Sequence, residues 1–375
     1  MTKDVVLVGF KRTPFQPANK GAFIKKRPDD LMAEVIRALL KETGIDPSLL
    51  EDVIIGNAFP EGEQGFNIGK IVGQIVGLPQ SVAGTTVNRF CGSSMQAIHN
   101  AAALIMSGSG DAFIAGGVES MTRIPMGGFN PMPNPGLMET YPQAYIGMGE
   151  TAENVGKKYD ISRKEQEEFA VASHQKAAAA AAAGKFDDEI VPIGDVKTDG
   201  TIRPDTTVEA LSGLKPAFDV NGTVTAGTSS PLTDGAAVTL VCSLEFAQKH
   251  GLKPLAKIRG MAVSGCAAEL MGLGPINATH KALERAGLKL EDMDIVELNE
   301  AFAAQSLGVL RELKIPMEKV NIDGGATALG HPLGASGARI TGKAASLLQR
   351  ENKKYALATM CIGGGQGIAT ILERI

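Results

Sequence analysis

Cys91 stands in the run Val87-Asn88-Arg89-Phe90-Cys91-Gly92-Ser93-Ser94-Met95-Gln96. Before it, Thr85-Thr86-Val87 reads as a short strand. After it, Met95, Ile98, Ala102 and Ile105 recur at helical spacing. A cysteine at that elbow meets free N–H groups and the positive end of a helix dipole, a setting expected to favour the thiolate. Far downstream, His331 lies in Gly330-His331-Pro332-Leu333-Gly334-Ala335-Ser336-Gly337, and Cys361 opens Cys361-Ile362-Gly363-Gly364-Gly365-Gln366-Gly367. A thiol nucleophile with an imidazole and a second thiol as acid/base partners suits acyl exchange. The glycines after Cys361 let a substrate approach the backbone. Asn299 ends a short apolar run, where its amide suits holding a water or a carbonyl oxygen, or simply capping.

These residues need a scaffold, and the chain alternates strands and helices around them. Strands are expected at Val5–Gly9, Asp52–Gly56, Asp111–Ala115, Ala236–Cys242, Lys257–Ser264, Asp294–Leu298 and Tyr355–Met360. Helices are expected at Pro28–Lys41, Asn67–Val76, Leu244–His250, Pro275–Ala286 and Ala335–Gln349. The pattern is α/β and implies a mostly parallel, covered sheet. Ser162-Arg163-Lys164-Glu165 is a capping box that starts a helix running through an alanine-rich stretch to Gly184. His174, on that helix, reads as a packing or surface histidine.

The two ends echo each other: a reactive turn, a Gly/Ala-rich helix, then a strand ending in glycines. In this reading Gly116-Gly117 corresponds to Gly363-Gly364-Gly365. The division that follows is an N-terminal α/β half at 1–120, completed by 233–254, an inserted loop domain at 121–232 and a C-terminal α/β half at 255–375. The insert opens with Met121, Met126, Met132, Met138 and Met148 among prolines, material for a wall along an acyl chain or for a cap on the core.

Bulk properties narrow the function. The 375 residues exceed the size of one ordinary core. The net charge of -4 gives no reason to expect nucleic acid as partner. The four cysteines form no CxxC pair, so neither structural zinc nor a disulfide framework is expected, and no metal site is assigned. Cys242 and Cys266 read as core. No apolar run suffices to span a membrane, no signal or peroxisomal address is recognised, and the cytoplasm is the expected compartment.

In combination, the Asn88-Arg89-Phe90-Cys91 elbow, Asn299-Glu300-Ala301-Phe302, the Gly-His-Pro turn and Cys361-Ile362-Gly363-Gly364-Gly365 resemble the thiolase family, over Val5 to Thr370. The order Gly92-Ser93-Ser94-Met95-Gln96 resembles the β-oxidation branch. The resemblance implies a duplicated α/β unit with layered αβαβα architecture and an inserted loop domain. It implies that Cys91 attacks a 3-ketoacyl-CoA, that His331 takes the thiol proton and that Cys361 protonates the departing acetyl-CoA carbanion. The backbone N–H groups of Cys91 and Gly363 would form one oxyanion hole, and His331 with a water on Asn299 the other. No cofactor is implied, since coenzyme A is a substrate. Arg203 matches a position near its adenine and Ser230 one on its pantetheine arm. CoA thioesters are the implied ligands, with a homodimer or homotetramer and, in some members, a hydratase/dehydrogenase subunit as partners.

Three departures from the family pattern carry expectations. Asp323 stands where asparagine is usual, and a carboxylate near His331 would raise its pKa. Pro231 follows Ser230 where glycine is frequent. Gly147 precedes Met148 where short-chain biosynthetic members carry histidine. The rival readings are a biosynthetic acetoacetyl-CoA thiolase, a β-ketoacyl-carrier-protein synthase, an inactive lipid carrier and a cysteine hydrolase. Cys361 counts against the synthase, and the retention of all four reactive groups counts against the carrier.

Overall fold

The computed structural model describes residues 3–375. The first stretch runs β1 (Val5–Arg12), β2 (Gln16–Pro17), α1 (Pro28–Thr43), β3 (Asp52–Gly56), α2 (Ile68–Val76), β4 (Ala83–Val87), α3 (Ser93–Met106) and β5 (Ala112–Ser120). A long segment then carries α4 (Pro135–Thr140), α5 (Met148–Lys158), α6 (Arg163–Ala182) and α7 (Val208–Ser212). The strand β6 (Thr233–Ser243) and α8 (Leu244–Lys249) return to the first sheet. The remainder is β7 (Ala256–Gly265), α9 (Gly274–Ala286), β8 (Ile295–Leu298), α10 (Ala303–Leu313), α11 (Ala326–Leu329), α12 (Leu333–Arg350), β9 (Tyr355–Ile362) and β10 (Gln366–Glu373).

The strand order is β4-β3-β5-β6-β1-β7-β10-β9-β8, with β2 on β6. Among the described residues, the strands of the two blocks pair through Val6 and Leu7 opposite Lys257 and Ala256. From its outer end the first block reads β4-β3-β5-β6-β1, and the second reads β8-β9-β10-β7, with Val320 bridging Val296 where the counterpart of β4 would lie. The chain is therefore duplicated, as the motifs suggested. The expected mostly parallel sheet is corrected: only β3–β4, β3–β5 and β8–β9 are parallel, and every other pair is antiparallel. Strand–helix alternation misses this, because β1 with β6 and β7 with β10 are joined by long excursions that reverse direction.

The glycine correspondence also needs correcting. Glu51 N–H donates to the Ala112 carbonyl as Asp294 N–H donates to Tyr355, so Ala112 matches Tyr355. Gly116 and Gly117 then fall opposite Thr359 and Met360, in mid-strand, and the true counterpart of Gly363 is Ser120.

Period-two alternation divides the core into layers. Val5 and Leu7 join the central cluster with α3 and α12, whereas Val6 and Val8 join the outer cluster with α1. A third cluster places α9 and α10 on the outer face of the second block. The result is a five-layer αβαβα arrangement with α3 and α12 innermost. Small residues allow that contact: a Cβ on Gly337 would lie 2.4 Å from the Met95 backbone nitrogen. The pseudo-symmetric helices also explain the site, since Cys91 lies just before α3 and His331 just before α12.

Candidate active site

Phe90 is held at φ +42, a left-handed conformation that costs a bulky residue energy and turns the chain sharply from β4 into α3. Asn88 Oδ1 accepts the Phe90 N–H and the Ser93 hydroxyl donates to the Phe90 carbonyl, which locks the elbow. Cys91 is thereby presented, half-buried, toward β9. The N–H of Gly363 lies within hydrogen-bonding reach of its sulfur, as does its own N–H. Burial nevertheless pushes the Cys91 thiol up to about 11, with the carboxylate of Glu119 adding to the rise. The expected helix-stabilised thiolate is therefore corrected: desolvation outweighs the donors.

Cys361 is buried near the end of β9, and burial followed by the neighbouring Cys91 raises its thiol well above the ordinary value. It packs with Met148, Phe302, Ala301 and Met271. Asn299 leaves β8 beside it, its N–H donating to Thr359. The Asn299 Nδ2 lies 3.3 Å from His331 Nε2, while Asn299 Oδ1 is buried without a partner. An orphan oxygen of that kind is the signature of a bound water or ligand. His331 Nδ1 lies 2.5 Å from Ser336 Oγ, and its backbone N–H donates to Thr233. Burial, then the Arg339 cation, lowers the His331 pKa to about 3, so the ring is neutral at pH 7.

Cys361 and Gly363 of the second half thus meet Cys91 of the first, and Asn299 meets His331. Leu333, two residues past His331, packs in one cluster with Cys91, Met121 and Ala58. Glu119 ties the same region together: its Oε2 accepts the Ala58 and Gly334 N–H groups, and Oε1 accepts from Asn57 and Gln64. Sequence reading missed Glu119, because a lone carboxylate at the end of an apolar strand gives no spacing signal.

The five methionines of the insert divide. Met121 and Met148 pack at the site, whereas Met126, Met132 and Met138 are exposed. Arg203 and Ser230 make contacts of their own. Ser230 donates its hydroxyl and N–H to the Ala301 carbonyl, and the Arg203 N–H donates to His174 Nδ1. The expectation for Asp323 is corrected. Its carboxylate binds Arg350 in two-pronged fashion at 2.6 and 2.9 Å and Lys343 at 2.8 Å, and it is not among the groups that shift His331.

A duplicated five-layer α/β fold thus carries two cysteines and the Gly363 N–H together at one end of β9, with Asn299 against His331. The thiolase N-terminal domain model matches residues 5–245 and the thiolase C-terminal domain model matches 252–374. The chain is 50% identical to the 3-ketoacyl-CoA thiolase of Idiomarina loihiensis, with 100% of each covered, and 47% identical to that of Bacillus subtilis, with 99% of each covered. Among solved structures it superposes on the Bacillus anthracis acetyl-CoA acetyltransferase at TM-score 0.92 with 39% identity, covering 100% of this chain and 99% of the other. It superposes on human mitochondrial 3-ketoacyl-CoA thiolase at TM-score 0.91 with 39% identity, covering 99% of each. The chain belongs to the thiolase family.

Proposed function

We propose that this enzyme cleaves 3-ketoacyl-CoA with free CoA to give acetyl-CoA and an acyl-CoA shortened by two carbons. The observation that carries the reading is the meeting of Cys91 with Cys361 and the Gly363 N–H at one end of β9. Cys91 sulfur adds to the 3-keto carbon as its proton passes to neutral His331. Because the thiol is raised by burial, proton loss accompanies attack instead of preceding it. The C2–C3 bond then breaks, its electron pair leaves as the acetyl-CoA enolate, and Cys361 protonates C2. CoA gives its proton to the Cys361 thiolate and attacks the Cys91 thioester. The departing Cys91 sulfur recovers the proton held by His331.

In this reading the N–H groups of Cys91 and Gly363 receive the oxyanion at the Cys91 thioester. His331 Nε2 and a water on the orphan Asn299 Oδ1 receive the enolate oxygen. No further cofactor is needed. Coenzyme A is assigned to the side bearing Ser230 and Arg203. The same site run backwards performs a Claisen condensation, with Cys361 as the base at acetyl-CoA. The 3-ketoacyl substrate is the product of a dehydrogenase acting on a 3-hydroxyacyl-CoA, so a hydratase/dehydrogenase is the fitting companion.

The chain is assigned to a homodimer or a larger even assembly. β4 ends the sheet as an unpaired edge, and Phe66 beside it is 94% exposed, features that pairing with a second copy would cover. Four free cysteines, two of them needed as thiols, fit a reducing cytoplasm. Among the described residues no helix is long and apolar enough to cross a membrane.

Acetoacetyl-CoA mixed with the enzyme is expected to leave an acetyl adduct on Cys91 in the intact mass, and none on Cys91→Ser. Cys361→Ala is expected to keep acyl exchange between Cys91 and CoA while losing carbon–carbon cleavage. A wild-type protein that never acquires the adduct refutes the proposal.

A further inference from the structure

Arg89 stands two residues before Cys91 and belongs to the same elbow. Its N–H donates to Ser93 Oγ at 2.9 Å, and its carbonyl accepts the Gly92 N–H. Its side chain leaves the elbow and crosses to the other half of the duplication. Nη1 donates to Gln366 Oε1 at 2.9 Å, and Nε donates to Gln96 Oε1 at 2.8 Å. A guanidinium has donors only, so each amide must turn its oxygen toward Arg89 and its NH2 away. The Gln366 NH2 then donates to the Gly363 carbonyl at 3.3 Å. The Gln96 NH2 donates to Asn100 Oδ1 at 2.7 Å, which braces the guanidinium from α3. The turn that Gln366 holds has no side chain of its own: Gly363 is followed by Gly364 and Gly365 at φ +77 and +79. The Gly365 carbonyl accepts the Cys266 N–H, which ties the far end of the turn, and Gln366 ties the near end.

We propose that Arg89 and Gln366 are positioning residues that hold Gly363 so that its N–H faces the Cys91 sulfur. Arg89 fixes the nucleophile through its backbone and the oxyanion donor through its side chain, so the two keep one spacing. Consecutive glycines lose more conformational freedom on ordering than any other residues, and an oxyanion donor is effective only when it is fixed before the charge develops. The Arg89–Gln366 tie supplies that fixation from outside the glycine run. The inference rests on the proposed use of the Gly363 N–H at the Cys91 thioester. The contact of that N–H with the resting sulfur is present before any substrate binds, so it can be tested apart from turnover.

The test compares Gln366→Leu, Arg89→Met, the double variant and Arg89→Lys with wild type. Cleavage of acetoacetyl-CoA by Gln366→Leu is expected to lose about tenfold in kcat with KM held within about twofold, because the donor acts on the transition state. Arg89→Met is expected to lose a similar factor. The double variant is expected to fall no more than about twofold below the worse single variant, since the two residues act in series. Arg89→Lys keeps one cationic donor and is expected to recover part of the loss. The second measurement is alkylation of Cys91 by iodoacetamide at pH 9 without substrate. Gln366→Leu changes no charge, yet it is expected to slow this reaction about threefold or more, because the sulfur loses an N–H that favours the thiolate. A wild type that forms no acyl adduct would sink the proposed reaction and leave the alkylation comparison standing. Equal alkylation rates in wild type and Gln366→Leu, or single losses that multiply in full in the double variant, overturn the positioning role.

Discussion

Asp323→Asn separates two accounts of one residue. The first makes Asp323 an electrostatic partner of His331, and the structure makes it an anchor for α12. Its carboxylate is 1% exposed and accepts from Arg350 at 2.6 and 2.9 Å and from Lys343 at 2.8 Å, while Lys343 also reaches Glu189 at 2.9 Å. Burial alone would raise its pKa, yet Arg350 and Lys343 hold it below the ordinary carboxylate range. Asparagine keeps the shape and one acceptor but removes the charge. Breaking a buried pair from one side costs roughly 3–5 kcal/mol. Here Lys343 keeps Glu189, and Arg350 is 30% exposed and can turn to water. The expected loss is therefore about 2–4 kcal/mol at neutral pH. The sign follows from the depressed pKa: the stabilisation is full above the unfolded value, near 3.8, and is lost as pH falls through the lower folded value. Urea unfolding at fixed protein concentration should show wild type and variant far apart at pH 7 and converging below about pH 4. The pH–rate profile of the variant should match that of wild type. Equal stability at pH 7, or a displaced acid limb in the rate profile, refutes this account.

Other perturbations probe the site and its frame. Alkylation of Cys91 by iodoacetamide without substrate should keep accelerating with pH beyond 9, because burial puts the thiol near 11; a plateau by pH 8 refutes the desolvated thiol. Gly337→Ala should destabilise by about 2 kcal/mol or more, read by urea unfolding, because its Cβ would lie 2.4 Å from the Met95 nitrogen across the α3–α12 contact. Gly363→Ala should fold normally, since its Cβ meets nothing closer than Met148 Sδ at 3.5 Å. It should lose about tenfold or more in kcat, because the methyl group stands against Phe90 and Met148 on the residue whose N–H meets the Cys91 sulfur.

How far the sequence revealed this architecture depends on the range of the interactions involved. The elbow at Cys91 was legible because its cause is local: an amphipathic helix, a preceding strand and small residues between them. The capping box at Ser162 and Glu165 was legible for the same reason, and both of its bonds are present. The helix boundaries at α1, α2 and α9 follow from local periodicity and left-handed glycine caps. Strand direction was not legible, because the pairing of β1 with β6 is decided across more than two hundred residues of chain. The state of Cys91 was misjudged on similar grounds. Dipole and N–H donors are properties of its own helix, but the desolvation that overrides them comes from Leu333, Met121 and Ile362, residues brought in by tertiary packing. Asp323 is the sharpest case. Eight positions from His331 in sequence, it binds Lys343 and Arg350, about three and five turns into α12, so proximity along the chain gave the wrong partner. A functional role inferred for a buried charge is therefore only as good as the identification of its nearest opposite charge, which for this fold is settled between layers and not along the chain.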